Sequence, residues 1–280
     1  MPFLEHFDET LDLNATENYD LSVQVSFDRI SFCILDTIRK KFVMIREFEP
    51  EVQNYLNREE IYGYISRDDF LSRKYRKVHV ITPSPKFTLV PVPLYDQARV
   101  KDYFRFNHIK EEGSLIFTDK LTNPDTYIIY SVQEQLSSVI DKFFMGSQRM
   151  HHLKPLLTHI SDNKKGVHGY YTHLHIEKEF FNIIVFGNST MKLCNSYNYK
   201  SGTDILYFLL SAFRNLDIRQ DEPVYLSGLT KPGDDFSHLL SGYFRNVRYS
   251  VPSGKCSFSY VFNEPGLHRY INLFSSATCE

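Results

Sequence analysis

The same order of secondary structure elements is predicted twice along this chain of 280 residues. In each half, three strand-like runs are followed by a helix, a strand and a second helix. The first strand of the first half is LSVQVSF at residues 21–27, where apolar and polar side chains alternate with the period of two typical of a strand. The corresponding run of the second half is THLHIEKE at residues 172–179. Three strands joined by short turns predict an antiparallel meander at the start of each half.

A polar, glycine-containing segment, SDNKKGVHG at residues 161–169, separates the two halves. Beyond it, the stretch at residues 201–216 has apolar side chains at helical spacing and a capping residue in Ser201 or Thr203. We therefore predict two domains, residues 1–162 and 163–280. Each is expected to be a mixed five-stranded sheet with flanking helices, which places the chain in the α/β class.

Composition limits the kind of partner that the protein can have. The 32 basic and 34 acidic residues give a net charge of −2, which does not favour binding to nucleic acid. No apolar stretch approaches the length of a membrane span, and the N-terminal sequence lacks the basic and apolar regions of a secretory signal. The four cysteines show no CxxC spacing. We expect a reduced, cytoplasmic protein whose partner is another protein, with no nucleic acid and no membrane span.

Two segments resemble an uncharacterised bacterial family of unknown function. They are KFTLVPVPLYDQARVKDYFRFNH at residues 86–108 and SYNYKSGTDILYFLLSAF at residues 196–213. That family has an actin-like ATPase fold, so the resemblance implies two tandem ribonuclease-H-like domains. The second half is also similar to pilus-assembly and secretion members of the same superfamily, which share a hairpin, an aromatic strand end and a long helix.

The resemblance implies three motifs that hold a nucleotide: a D-x-G phosphate loop in each half and a glycine-rich strand end that contacts adenosine. The positions equivalent to these motifs are Gln24 and Ser26 in the first half and His175, Glu177 and Gly228 in the second. Both loops therefore lack the aspartate that helps to organise Mg²⁺ and the glycine that lets backbone N–H groups approach phosphate. Only Gly228 is retained, so we expect a degenerate site that binds no cofactor and does not hydrolyse ATP in the ordinary way.

A cluster of polar side chains on the first strand of the second half offers a different chemistry. His173, His175 and Glu177 share one face of that strand, and two imidazoles with a carboxylate can bind zinc. His168 lies just before them. An exposed or cleft-facing strand surface without metal is the simpler interpretation, so we predict no metal site here.

Three hypotheses for the function follow. The first is a non-catalytic, actin-like scaffold that binds another protein. The second is a nucleotide-binding protein or ATPase with a remodelled cleft, and the third is a metal-dependent hydrolase. No GxxxxGK[ST], GxGxxG or GxSxG motif supports an enzyme of another class.

Overall fold

The chain folds into two units, each built around a mixed β-sheet. The computed structural model describes residues 2–50, 55–109, 111–164, 169–188, 190–262 and 266–279. The first unit comprises the described residues of Met1–Thr158, Ser253–Glu264 and Asn272–Glu280, and the second those of His159–Pro252 and Pro265–Ile271. Residues 165–168 of the predicted boundary segment lie outside the described part, and the boundary after residue 162 stays a prediction.

The elements are as follows. The strands are β1 (Leu4–Phe7), β2 (Tyr19–Val25), β3 (Ile30–Asp36), β4 (Lys41–Phe48), β5 (Lys77–Thr82), β6 (Phe87–Pro91), β7 (Ser114–Thr122), β8 (Asp125–Gln133), β9 (Gln148–His151), β10 (Tyr170–Ile176), β11 (Phe180–Gly187), β12 (Thr190–Asn198), β13 (Val224–Gly228), β14 (Val247–Tyr249) and β15 (Ser257–Phe258). The α-helices are α1 (Arg58–Arg67), α2 (Val100–Asn107), α3 (Glu134–Phe143), α4 (Leu153–Asn163), α5 (Gly202–Asn215), α6 (Asp235–Ser241) and α7 (Ile271–Ser276).

Both units contain the same five-stranded arrangement. In the second unit the strand order is β12-β11-β10-β13-β14, with the first three strands antiparallel and β13 and β14 added in parallel. In the first unit β4-β3-β2-β5-β9 repeats this order and these directions. The predicted α/β class, the two meanders and the two mixed five-stranded sheets are confirmed.

The first unit has two additions to this common sheet. β1 pairs antiparallel and β15 pairs parallel with β4, so both lie along the same edge. Between β5 and β9 the chain forms a separate three-stranded sheet of order β6-β8-β7, together with α2 and α3.

Successive side chains of β10 and β11 point to opposite faces of the sheet, and those on one face form the core of the second unit. Leu174 and Ile176 of β10 and Ile183 of β11 are buried against Leu209 and Phe213 of α5. α5 begins after its N-cap residue Ser201, whose backbone N–H donates to Asp204 Oδ2 at 2.9 Å, so one of the two predicted capping residues holds this position. In the first unit, Val23 and Val25 of β2 are fully buried, as predicted.

No helix in the described ranges is long and apolar enough to cross a membrane. None of the four cysteines, all of which lie in the described ranges, forms a disulfide bond, and Cys33 and Cys194 are buried within β3 and β12.

Candidate functional site

The polar groups of the turn between β2 and β3, where the resemblance implies the first phosphate loop, bind one another. The backbone N–H of Ser26 donates to the carbonyl of Arg29 at 3.1 Å. The Ser26 hydroxyl donates to Asp28 Oδ1 at 2.5 Å, and the same aspartate binds the Arg29 guanidinium at 2.8 Å. Gln24, two residues before Ser26, is buried in β2. Because the N–H at the motif's glycine position already has a carbonyl partner, it is not available to a phosphate oxygen.

The turn between β10 and β11 has the same backbone geometry. Here the N–H of Glu177 donates to the carbonyl of Phe180 at 2.9 Å. Tyr199, just beyond β12, binds the turn twice: its hydroxyl donates to the Glu177 carbonyl at 2.8 Å and its backbone N–H donates to the Glu179 carbonyl at 3.2 Å. Ser26 and Glu177 are therefore equivalent positions in the two turns, and Gln24 and His175, two residues earlier in each unit, are equivalent as well.

Four side chains from β10 and its surroundings form a continuous chain of hydrogen bonds. His175 Nε2 lies 3.1 Å from Glu177 Oε1, and His175 Nδ1 lies 2.8 Å from Ser227 Oγ. The same hydroxyl lies 2.7 Å from His173 Nε2. Ser227 reaches both imidazoles because β13 pairs in parallel with β10 and sets this serine opposite His175.

A carboxylate at one end of this chain only accepts hydrogen bonds, so His175 donates from Nε2 to Glu177. The Ser227 hydroxyl lies between the two imidazoles and, with a single proton, can donate to only one of them. His173 Nδ1 has no hydrogen-bond partner among the described residues.

These side chains are buried, so of the two predicted alternatives, an exposed or a cleft-facing strand surface, the exposed one is wrong. His173, His175, Glu177 and Ser227 are each at most 3% exposed. Burial holds the pKa of His173 well below its ordinary value, and the nearby imidazoles of His159 and His175 lower it further. The His159 ring packs edge-on against His173 with 6.0 Å between ring centroids, and burial lowers the pKa of His159 to about 4.

The arrangement offers no metal centre within the described ranges, where no group of three or more histidine, cysteine, aspartate or glutamate side chains is placed to hold an ion. His173, His175 and Glu177 are neighbours, but both ring nitrogens of His175 and the Nε2 of His173 already form hydrogen bonds to Ser227 and Glu177. His168 lies outside the described residues.

Gly228, the one retained glycine, is explained by packing within its own unit. Its φ of +84° is left-handed, and a Cβ added there would lie 2.1 Å from the carbonyl oxygen of Ile176. The next residue, Leu229, donates its N–H to that carbonyl at 2.7 Å and packs against the core of the second unit. The glycine therefore lets the chain leave β13 in direct contact with the end of β10.

Sequence reasoning did not identify two members of this cluster, Ser227 and His159. Ser227 is the only polar residue in the strand VYLSG, and a polar residue within a buried parallel strand is a signal for a buried partner. His159 is on a helix, where nothing in its local sequence indicates that it meets β10.

Comparisons with known proteins agree with the fold. The model of the family described as Protein of unknown function (DUF3822) matches residues 8–247. A crystal structure from Bacteroides thetaiotaomicron, a protein with actin-like ATPase fold and unknown function, is 21% identical with a TM-score of 0.80, over 97% of this chain and 100% of that one. The PilM-PilN type IV pilus biogenesis complex matches at 11% identity and a TM-score of 0.61, over 92% and 96% of the two chains. Among curated proteins none matches.

Proposed function

The chain belongs to the DUF3822 family of proteins of unknown function, and we propose that it is a non-catalytic scaffold with the actin-like fold, which binds another protein instead of hydrolysing ATP. The observation that carries this proposal is the turn between β10 and β11. At the position of the second phosphate loop, Glu177 uses its backbone N–H to bind Phe180 and buries its carboxyl group against His175.

Phosphate binding by such a loop depends on free backbone N–H groups and on a residue without a side chain. A buried acidic side chain at that place opposes a phosphate, because like charges in a region of low dielectric constant repel strongly. The imidazole of His175 is also a poor substitute for the aspartate, since Mg²⁺ prefers oxygen ligands. The first unit offers Gln24 and Ser26, which supply no negative charge for the ion. These residues together disfavour the nucleotide-binding alternative.

A protein is the partner class that the remaining observations favour. The PilM-PilN structure, to which this fold is similar, is a complex of two proteins. The near-neutral charge gives no support to nucleic acid as the partner. We place the scaffold in the cytoplasm, where cysteines that form no disulfide bonds, as in this chain, are the rule.

The proposal is tested by measuring the melting temperature of the protein with and without millimolar Mg-ATP. A ligand at a hundred times its dissociation constant stabilises a fold by about 2.7 kcal/mol, which raises Tm by several degrees. We expect no such rise. Mg²⁺ alone and ATP with EDTA serve as controls for the effects of the ion and of the nucleotide.

A saturable rise in Tm with Mg-ATP would show that a nucleotide site exists, and the proposal would be wrong. Adding ZnCl₂ in the same experiment tests the metal-dependent hydrolase, since no stabilisation is expected while His173 and His175 are engaged with Ser227. Stoichiometric zinc that is lost in the variant His175→Ala would instead favour that hypothesis.

A further inference from the structure

The outer edge of β12 differs from the equivalent edge in the first unit. β12 and β4 are each the third strand of a meander and occupy the same place in the repeated strand order. β4 is covered along that edge by β1 and β15. No strand in the described part of the chain pairs with the outer edge of β12. Sheet edges in native proteins are usually covered or interrupted, because their unpaired backbone groups are a template for another strand.

The register of the hairpin identifies the backbone groups that face outward. Tyr199 donates its N–H to the Glu179 carbonyl, so in this antiparallel pair residues of odd number in this part of β12 bind β11. The N–H and C=O groups of Cys194, Ser196 and Asn198 consequently point away from β11. The register shift opposite Val185 and Phe186 disturbs only the beginning of β12, so the strand is regular from Leu193 onward.

An aromatic surface lies beside this edge. The Tyr197 ring stacks on Phe208 of α5 at 4.3 Å between centroids, and Tyr207 meets the same Phe208 ring edge-on at 5.4 Å. Tyr207 is 67% exposed although it belongs to this aromatic group. A strand added to β12 would bring apolar side chains on the α5 side within reach of these rings, as in other cases of strand addition.

The charges beside the edge indicate what kind of chain fits it. Lys192 and Lys200 are exposed at its two ends. Antiparallel pairing of two copies centred on Ser196, the register that uses the whole regular part of β12, would bring Lys192 of each copy near Lys200 of the other. Like charges facing each other across strands are destabilising. The lysines therefore disfavour self-association and favour a partner with carboxylates at both ends of its strand.

We propose that β12 binds an extended segment of another protein, which joins the sheet as a sixth strand and has an apolar centre between acidic ends. This inference rests on the proposed function, because it locates the partner surface of the scaffold. The outward groups of Cys194, Ser196 and Asn198 form the backbone hydrogen bonds, the rings of Tyr197 and Tyr207 contact the apolar centre, and the lysines bind the acidic ends.

The experiment measures binding of a fluorescein-labelled peptide by anisotropy. The peptide has an alternating valine–threonine centre and two acidic residues at each end. We expect saturable binding to the wild-type chain and at least tenfold weaker binding to Ser196→Pro. Proline removes the outward N–H at this position without removing a hydrogen bond to β11, so an edge strand tolerates it. Circular dichroism checks that the variant is folded. If it is not, a peptide N-methylated at alternate residues replaces the variant and should bind at least tenfold more weakly.

A charge reversal supplies the matched control. The double variant Lys192→Glu with Lys200→Glu should no longer bind the peptide with acidic ends and should instead bind a peptide with lysines at its ends. The inference is overturned if neither peptide binds its cognate protein, or if Ser196→Pro and N-methylation leave binding unchanged. A concentration-dependent dimer that Ser196→Pro abolishes would assign the edge to a second copy instead. Stabilisation by Mg-ATP would refute the proposed non-catalytic scaffold but would not change the peptide-binding results. Failure of the proposed function and failure of the strand-addition site are therefore distinguishable.

Discussion

Acidification is expected to destabilise the second unit, and His159 is the residue through which this can be measured. Its side chain is buried, with its ring edge against His173 and its Nδ1 at 3.2 Å from the side-chain nitrogen of Asn163. Burial lowers its pKa to about 4, the imidazole of His175 lowers it further, and Asp162 opposes the change. A proton on His159 would place a charge beside two other buried imidazoles.

The size of the effect follows from the difference in pKa between the folded and unfolded chains. An unfolded histidine has a pKa near 6.5, so between about pH 6.5 and 4 the unfolded chain takes up a proton that the fold excludes. The contribution of neutral, buried His159 to the free energy of unfolding is complete above pH 6.5 and is lost as the pH falls through about 4. One pKa unit corresponds to about 1.4 kcal/mol, which gives roughly 3 kcal/mol over this range. Burial depresses the pKa of His173 in the same direction.

The assay is urea denaturation followed by circular dichroism at several pH values between 4.5 and 7.5, for the wild type and His159→Asn. Asparagine has no titration in this range and retains a polar atom near the position of Nδ1. The variant should be less stable at neutral pH by about 1–2 kcal/mol, because a smaller side chain leaves space in the core. The difference in the free energy of unfolding between the variant and the wild type should shrink by roughly 2–3 kcal/mol on acidification, so that their plots against pH converge or cross.

The variant His238→Asn, on the exposed surface of α6, is the control for removing a histidine. Curves for wild type and His159→Asn that stay parallel from pH 7.5 to 4.5 would refute the reasoning. They would mean that His159 is protonated in the fold as easily as in the unfolded chain.

Two further substitutions test features of single residues. Asp119 in β7 accepts the His151 N–H, and burial raises the pKa of its carboxyl group to about 6, so the contribution of Asp119 to the free energy of unfolding should fall as the pH rises from about 4 to 6. The free energy of unfolding of Asp119→Asn, measured by urea denaturation, should therefore rise by roughly 2 kcal/mol relative to that of the wild type over that range. A constant difference between the two proteins would contradict this. Gly228→Ala should cost at least about 2 kcal/mol, because its Cβ would overlap the Ile176 carbonyl at a left-handed φ. The matched control Gly63→Ala, in α1 with open space around it, should be stabilising by up to about 1 kcal/mol, and equal effects of the two substitutions would refute the packing argument.

Much of the fold could be predicted because the main strands and helices have periodic patterns of their own. The alternation in β2 correctly predicts that Val23 and Val25 face the core, and the spacing of apolar residues predicts α5. Four short strands, β1, β9, β14 and β15, were not predicted. They have two to four residues each, too few to show a period, and they form because neighbouring strands supply their hydrogen bonds.

The candidate site was predictable only in part. A period of two places His173, His175 and Glu177 on one face; in the structure His173 and His175 lie in β10, and Glu177 follows the last residue of the strand with its carboxyl group 3.1 Å from His175. The same pattern says nothing about what packs on that face, and so it did not predict that the side chains are buried. Ser227 is 52 residues from His175 in sequence, and only the parallel register of β10 and β13 brings its hydroxyl between the two imidazoles.

The contrast between a kept fold and altered motifs has a physical basis. Strand order and turn closure depend on backbone hydrogen bonds and apolar alternation, which many sequences satisfy, and a TM-score of 0.80 at 21% identity agrees with that. Binding a nucleotide depends instead on a few atoms at fixed places, so one side chain at the turn is enough to prevent it. Ser26 and Glu177 close their turns with the same backbone hydrogen bond although their side chains differ. The fold alone therefore does not assign an activity to this chain.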